Sequence, residues 1–289
     1  MRVLNLHKKI ISLFLLIMVS GFLFAQTLYW ENPQVITDTD SRFPVSLTNG
    51  QDSYILWEEV DSKNKAIYLS IRKYNSFTDF FENRRFAGPF NYSGDEVPDI
   101  YTAAILDDGR FAVAVASDYG QISVFSSSDQ AFTFEETKLP STSTMVAPRI
   151  YSTKAGGYKM FTSVGEENAF TIFTADSSDG KSWSRFVQFQ PVQSFRNPFI
   201  PVLLKTETED ILVFQAQYTS AETNRLSYQL YLTSRSGNGN NWTAPVLLTD
   251  RNSLTSQSKK EFHNYQNQRP YRYNYKGTYY LTWERTDTV

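Results

Sequence analysis

Arg42-Phe43-Pro44 leads after a short interval to Tyr54-Ile55-Leu56-Trp57-Glu58, and near the other end of the chain Arg269-Pro270 leads to Tyr280-Leu281-Thr282-Trp283-Glu284. In both stretches thirteen residues separate the proline from the tryptophan. The same offset joins Pro98 to Phe111, Pro148 to Phe161 and Pro201 to Phe214, so five copies of one unit run through the chain at intervals near fifty residues. Within a unit, Asn49-Gly50, Asp108-Gly109, Gly156-Gly157 and Lys276-Gly277 are turn signals between two runs rich in aromatic and β-branched residues, which predicts a hairpin.

Working outward, a third strand is predicted over Ala66 to Ile71, Ile122 to Phe125, Phe170 to Phe173 and Tyr228 to Thr233. A polar knot follows each: Ser127 to Phe134, Ser177 to Trp183, and Ser236 to Trp242. A fourth strand leaves the knot, as in Trp242-Thr243-Ala244-Pro245-Val246-Leu247-Leu248-Thr249-Asp250. Trp30-Glu31-Asn32-Pro33-Gln34-Val35-Ile36-Thr37-Asp38 carries the same signature, so residues 27–38 read as the closing strand of a unit whose other strands lie elsewhere. Four short antiparallel strands repeated in this way, with no helical periodicity, predict an all-β fold of the β-propeller type, with blades opening near 44, 98, 148, 201 and 270. A pair of β-sandwiches does not account for the recurring offsets. Four blades are complete and the fifth has two strands, which suggests part of a six- or seven-bladed propeller.

The first 25 residues differ from the rest. Arg2, Lys8 and Lys9 precede an apolar run from Ile10 to Ala25, the pattern of an export signal cleaved near Ala25. The run is short for a spanning helix, so an exported chain without membrane insertion is expected. Removing this segment takes away three basic residues and no acid, leaving 25 basic and 30 acidic side chains. That balance argues against a nucleic-acid binder. With no Cys in the chain and His263 the one histidine after Ala25, thiolate chemistry is excluded and histidine-based metal sites have little to work with. No cofactor and no metal are expected, and the chain reads as a monomer.

The knots resemble the Asp-box, or BNR repeat, of sialidases and other propellers. Ser127, Asp129, Thr133 and Phe134 fit its spacing, with Ala131 where glycine is usual; Ser177, Asp179 and Trp183 form a copy one residue shorter; and Asn238 and Trp242 stand in the fourth copy with amide for carboxylate. The first unit, around Asn75 to Phe81, hardly shows it. A short acid or amide in such a turn accepts hydrogen bonds from its own backbone, so these residues are expected to be structural. Acids spaced one per blade do not converge on a single ion, which argues against calcium.

Arg42-Phe43-Pro44 is also similar to the Arg-Ile-Pro motif that supplies a carboxylate-binding arginine in sialidases, where the guanidinium fork matches a sialic acid carboxylate. That resemblance implies a cluster drawn from Arg42, Arg149, Arg196 and Arg269, with Glu58 or Glu284 as the supporting acid. Six tyrosines between Tyr265 and Tyr280 suggest a binding surface instead, with Tyr265, Arg269 and Tyr271 as contacts. Tyr271, Tyr273 and Tyr275 alternate with Arg272 and Asn274, so one face of that strand is expected to pack between blades. The stretch from Arg251 to Gln268 is the candidate rim loop. The leading expectation is an exported, non-catalytic propeller that recognises a glycan or protein partner; a sialidase-like exo-glycosidase is the alternative.

Overall fold

The computed structural model describes residues 37–287 except 51, 75–82, 92–99, 117–119, 141–142, 167–168, 193, 207, 220–223, 225, 237–240, 250–264 and 276–277. The export signal, the closing strand expected over 27–38 up to residue 36, Pro98, the knot of the first unit, Asn238 and most of the candidate rim loop lie outside the described residues. The chain divides into two compact units, Met1–Asp38 and Thr39–Val289, and the fold described here is that of the second. No helix among the described residues is long and apolar enough to cross a membrane.

The described structure is all-β apart from one 3-10 turn at Gln190–Val192. Four sheets have four strands each, in sequential antiparallel order. They are β1 (Ser41–Thr48), β2 (Ser53–Asp61), β3 (Ala66–Tyr74) and β4 (Asn83–Asn91); β5 (Tyr101–Ile105), β6 (Phe111–Ala116), β7 (Ile122–Ser127) and β8 (Glu135–Lys138); β9 (Met145–Ser152), β10 (Tyr158–Val164), β11 (Thr171–Ser177) and β12 (Val187–Gln188); and β13 (Arg196–Lys205), β14 (Glu209–Thr219), β15 (Leu226–Ser236) and β16 (Val246–Leu247). A fifth sheet pairs β17 (Tyr265–Tyr275) with β18 (Thr278–Asp287). The first strands of successive sheets approach one another, which places them innermost. This is the blade arrangement of a β-propeller.

Strand alternation explains how the blades stack. In β6 every residue from Phe111 to Val115 is buried. Phe111, Val113 and Val115 face the first sheet, meeting Tyr54, Leu56, Leu69 and Ile71. Ala112 and Ala114 point the other way, where Ile150, Tyr158 and Met160 of the third sheet lie over them. Phe161, Leu212, Phe214 and Tyr231 fill the next boundary. Each large side chain so buried stabilises the fold by roughly 1.5–3 kcal/mol, and because the apolar groups come from both blades, a single blade cannot hold its shape alone.

Where they are described, the repeat prolines sit a few residues inside the first strands of their sheets. Phe43, Ala147, Ile200 and Arg269 adopt φ of 51°, 47°, 48° and 52°, and each directly precedes a repeat proline. The strand register shifts at every one of these places, between Arg42 and Val45, between Val146 and Arg149, between Phe199 and Val202, and between Gln268 and Tyr271. The proline therefore marks a β-bulge. Having no N–H, it forfeits no ladder bond there, and the left-handed residue before it takes up the slack.

Candidate functional site

In an antiparallel blade the start of the first strand and the end of the second share one end of the sheet. The four arginines and two glutamates singled out from the sequence lie toward that end. They do not share one repeat position: Arg42 is two residues before its proline, Arg269 one before, Arg196 five before, and Arg149 one after. Strand alternation sends such neighbours to different faces and depths. Arg149 donates from Nη1 to the carbonyl of Pro148 at 2.9 Å, and Arg196 is exposed, in register with Gln217.

The structure brings two pairs together. Arg42 Nε donates to Glu58 Oε2 at 2.8 Å in the first sheet, and Arg269 Nη1 lies 3.3 Å from Glu284 Oε2 in the fifth. They differ in setting. The Arg269 and Glu284 side chains are about half exposed, at 51% and 52%, whereas that of Glu58 is fully buried. Its second oxygen, Oε1, accepts the backbone N–H of Ile100 at 3.0 Å, next to β5 of the second sheet. Beside this contact the Tyr101 hydroxyl lies 2.7 Å from the carbonyl of Phe43, at the bulge, and 2.9 Å from that of Leu56. Glu58 thus ties the first blade to the second, and each of its oxygens accepts a hydrogen bond from within the protein.

The position following the repeat aromatic is also a buried polar side chain in the third and fourth blades, which the sequence reading missed. Thr162 is fully buried and donates to the carbonyl of Val146 at 2.9 Å, within its own blade. Gln215, also buried, accepts the backbone N–H of Arg269 at 2.8 Å. The available signal was the common offset of fourteen residues from the proline.

At the opposite end lie the hairpins between third and fourth strands. Asp129 Oδ1 accepts the Thr133 N–H at 2.9 Å and the Ser127 hydroxyl at 2.7 Å, while Oδ2 accepts the Thr133 hydroxyl at 2.6 Å. Burial opposes ionisation, but the bonds from Thr133, Ser127 and Phe132 outweigh it and hold the carboxyl at about 2. Asp179 Oδ1 accepts N–H groups of Ser182 and Lys181 at 2.7 and 2.8 Å and the Ser177 hydroxyl at 3.1 Å, and the Ser182 bond leads in holding its carboxyl low. Phe134 stacks on Phe86 at 4.2 Å, Trp183 joins the boundary between second and third blades, and Trp242 meets Phe189 at 5.1 Å. The hydrogen bonds given for the Asp129 and Asp179 carboxylates all come from their own turns. Among the described residues no group of three or more His, Asp or Glu side chains could hold a metal ion.

The fifth sheet differs in chemistry. Arg272 points into the fourth blade, donating to the carbonyl of Leu203 at 2.5 Å and lying 4.3 Å over the Tyr151 ring. The packed face of β17 is therefore the arginine face. Tyr271, Tyr273 and Tyr280 point the other way, 50%, 47% and 42% exposed, with the last two stacked at 4.8 Å and 9°. Tyr265 is half-buried, with the Arg285 guanidinium 3.8 Å over its ring.

No protein-family model matches the chain, and no curated protein matches it in sequence. Solved structures do share its fold. A protein of unknown function from Dyadobacter fermentans superposes with a TM-score of 0.57 at 10% identity, over 84% of this chain and 74% of that one. A GH93 α-L-arabinofuranosidase of Fusarium graminearum, solved with arabinobiose, gives 0.52 at 15% identity over 72% of this chain. The chain spans 66% of that enzyme's length.

Proposed function

We propose that the chain is an exported, monomeric carbohydrate-binding propeller that contacts its glycan through Tyr271, Tyr273 and Tyr280 and carries out no sialidase-type hydrolysis. The observation that carries this reading is the state of Glu58: fully buried, with Arg42 on one oxygen and the Ile100 N–H on the other. A general acid or base must reach the reacting group with a free oxygen. The matching acid of the fifth sheet, Glu284, is open to solvent, and the two Arg–Glu pairs belong to different sheets.

The exposed tyrosines supply what sugar recognition needs, a flat apolar face for the C–H side of a pyranose or furanose ring and hydroxyls for its polar edge. Arg269, half exposed at the start of the same sheet, adds a charged donor beside them. The arabinobiose held by the Fusarium propeller supports arabinose-containing glycans as the first class to try. The test is a glycan array and calorimetric titration with arabino-oligosaccharides, beside hydrolysis assays on fluorogenic sialosides and arabinofuranosides. Binding that is lost in a Y271A/Y273A double variant of unchanged circular dichroism, with no turnover, is the expected result. Turnover that disappears in R42A or R269A overturns it.

A further inference from the structure

The outward face of the fifth sheet is ordered along its strands. Tyr273 stands opposite Tyr280 and Tyr271 opposite Thr282, and two residues further along β18 comes Glu284, opposite Gln268. Alternation places Tyr280, Thr282 and Glu284 on the face that Tyr271 and Tyr273 share. Arg269 reaches this face from the bulge in β17, its Nη1 3.4 Å from Glu284 Oε1 and 3.3 Å from Oε2. The face thus carries three rungs in a line: two tyrosines, a tyrosine beside a threonine, and an arginine beside a glutamate. From Tyr280 to Glu284 the line runs about 13 Å, at a strand rise of roughly 3.3 Å per residue.

Each rung offers a different contact. The stacked Tyr273 and Tyr280 rings present their outer faces as one apolar block. The exposed Thr282 hydroxyl donates to the Tyr271 carbonyl at 3.5 Å and keeps its oxygen as an acceptor. Arg269 and Glu284 are half exposed, and their contact is long for a charged hydrogen bond. Such a pair contributes little to folding, but it sets a donor fork beside two acceptor oxygens, the complement of neighbouring sugar hydroxyls. The faces packed between the first four sheets are of another kind. Phe111, Val113 and Val115 cluster with Leu56, Leu69 and Ile71, and Phe161 with Leu212 and Phe214. A further sheet laid over the fifth in that manner would strip water from the Arg269–Glu284 pair, a cost that apolar contact does not return. A ligand with hydroxyl groups keeps both charges hydrogen-bonded.

We propose that this face reads a linear, neutral oligosaccharide laid along β18 in three subsites: one sugar on Tyr273 and Tyr280, the next on Tyr271 and Thr282, the third on Arg269 and Glu284. Glu284 then sets the chain length, because a disaccharide seated on the tyrosines does not reach it and a trisaccharide does. The Arg269–Glu284 pair is neutral as a whole, so it suits a neutral chain better than one bearing carboxylates. The proposal rests on the glycan reading above and adds to it the length of the ligand and two residues that select it, Thr282 and Glu284.

The experiment is calorimetric titration of the full chain with arabinobiose, arabinotriose, arabinotetraose and trigalacturonate, repeated on Y273A, E284A and E284Q. One charge-assisted hydrogen bond gained at the third subsite should make the triose bind about tenfold more tightly than the biose. The tetraose should add less than about twofold beyond that, and trigalacturonate should bind more weakly than arabinotriose. In E284A and E284Q the step from biose to triose should shrink to under about threefold, whereas Y273A weakens all three arabinose ligands and keeps the step. If E284A fails to fold by circular dichroism, E284Q decides. Equal affinity for biose and triose, or a step that survives in the Glu284 variants, overturns the three subsites and leaves the glycan reading standing. Trigalacturonate binding as tight as arabinotriose overturns the preference for a neutral chain. Binding of none of the four ligands removes this proposal together with the arabinose class on which it rests.

Discussion

Gln215 Oε1 accepts the backbone N–H of Arg269 at 2.8 Å, holding the fourth blade to the fifth as Glu58 holds the first to the second through Ile100. An amide and a carboxylate do the same work at the same repeat position, so the acidity of Glu58 is incidental to the bond with Ile100 and matters only for Arg42. Glu58→Ala, which strands a mostly buried guanidinium, should cost about 3–5 kcal/mol in urea denaturation. Glu58→Gln keeps the acceptor for Ile100 and should cost about half as much. A catalytic Glu58 would show the reverse pattern, with stability retained and turnover lost.

Two tyrosines separate a used hydroxyl from an unused one. The Tyr101 hydroxyl reaches two carbonyls of the first blade, whereas the buried Tyr158 hydroxyl has no hydrogen-bond partner and burial pushes its pKa well up. Tyr101→Phe should destabilise by about 1–2 kcal/mol, and Tyr158→Phe should stabilise by up to about 1 kcal/mol, because it removes a polar atom that folding desolvates without return. Thermal melts of the two variants side by side check the opposite signs.

The Asp129 carboxyl, held at about 2 against an ordinary 3.8, predicts an acid limb. A carboxyl whose pKa falls on folding contributes stability that is fully present above its unfolded value and is lost as pH drops through the folded one. Between pH 4 and 2 the melting temperature of Asp129→Asn should therefore fall less steeply than that of the wild type. The hairpin is largely exposed to solvent, so the difference is expected to be small. Parallel slopes would show that Asp129 is not the group responsible.

Gly180 stands at φ 79°, and a Cβ there would lie 3.3 Å from Ala112 Cβ and 3.3 Å from Tyr158 Cε2. Gly180→Ala combines left-handed strain with crowding at the boundary between second and third blades and should cost about 1–3 kcal/mol by chemical denaturation. The equivalent turn carries Ala131 at φ 68°, so the backbone shape is attainable by alanine. The size of the loss at 180 therefore measures the crowding.

The repeat was legible because its signals are local: turn residues, alternation and one aromatic per unit each constrain a few neighbouring positions. The fourth strand of the fourth blade is shorter than the run from Trp242 to Asp250 suggests, since among the described residues of that run only Val246 and Leu247 are paired as strand. An outermost strand has one neighbour to bond with, so composition alone sets no lower limit on its length. The site was far less legible. Sequence placed Arg42, Arg149, Arg196 and Arg269 in one class because each is near a proline, but the bulge at that proline shifts register by a residue, and a residue either side of it faces a different way. Likewise the tyrosines of β17 alternate with arginine, and the pattern cannot tell which face packs. The Arg272 side chain decides it by reaching the carbonyl of Leu203.

The boundary between the fourth and fifth sheets is made differently from the other three. Buried Gln229 and Asn267 meet there, Asn267 Nδ2 donating to Gln229 Oε1 at 2.8 Å, and Gln229 Nε2 also donates to the carbonyl of Tyr265 at 2.9 Å. Water can replace such bonds, whereas parting the earlier blades strands hydrocarbon. The propeller is therefore a row of couplings with one soft joint, and amide exchange should be fastest in β17 and β18. The tyrosine face rides on the segment beyond that joint. A glycan seated on it acts as a clamp, trading part of its binding energy for order, and its arrival should be visible as slowed exchange at residues it never touches.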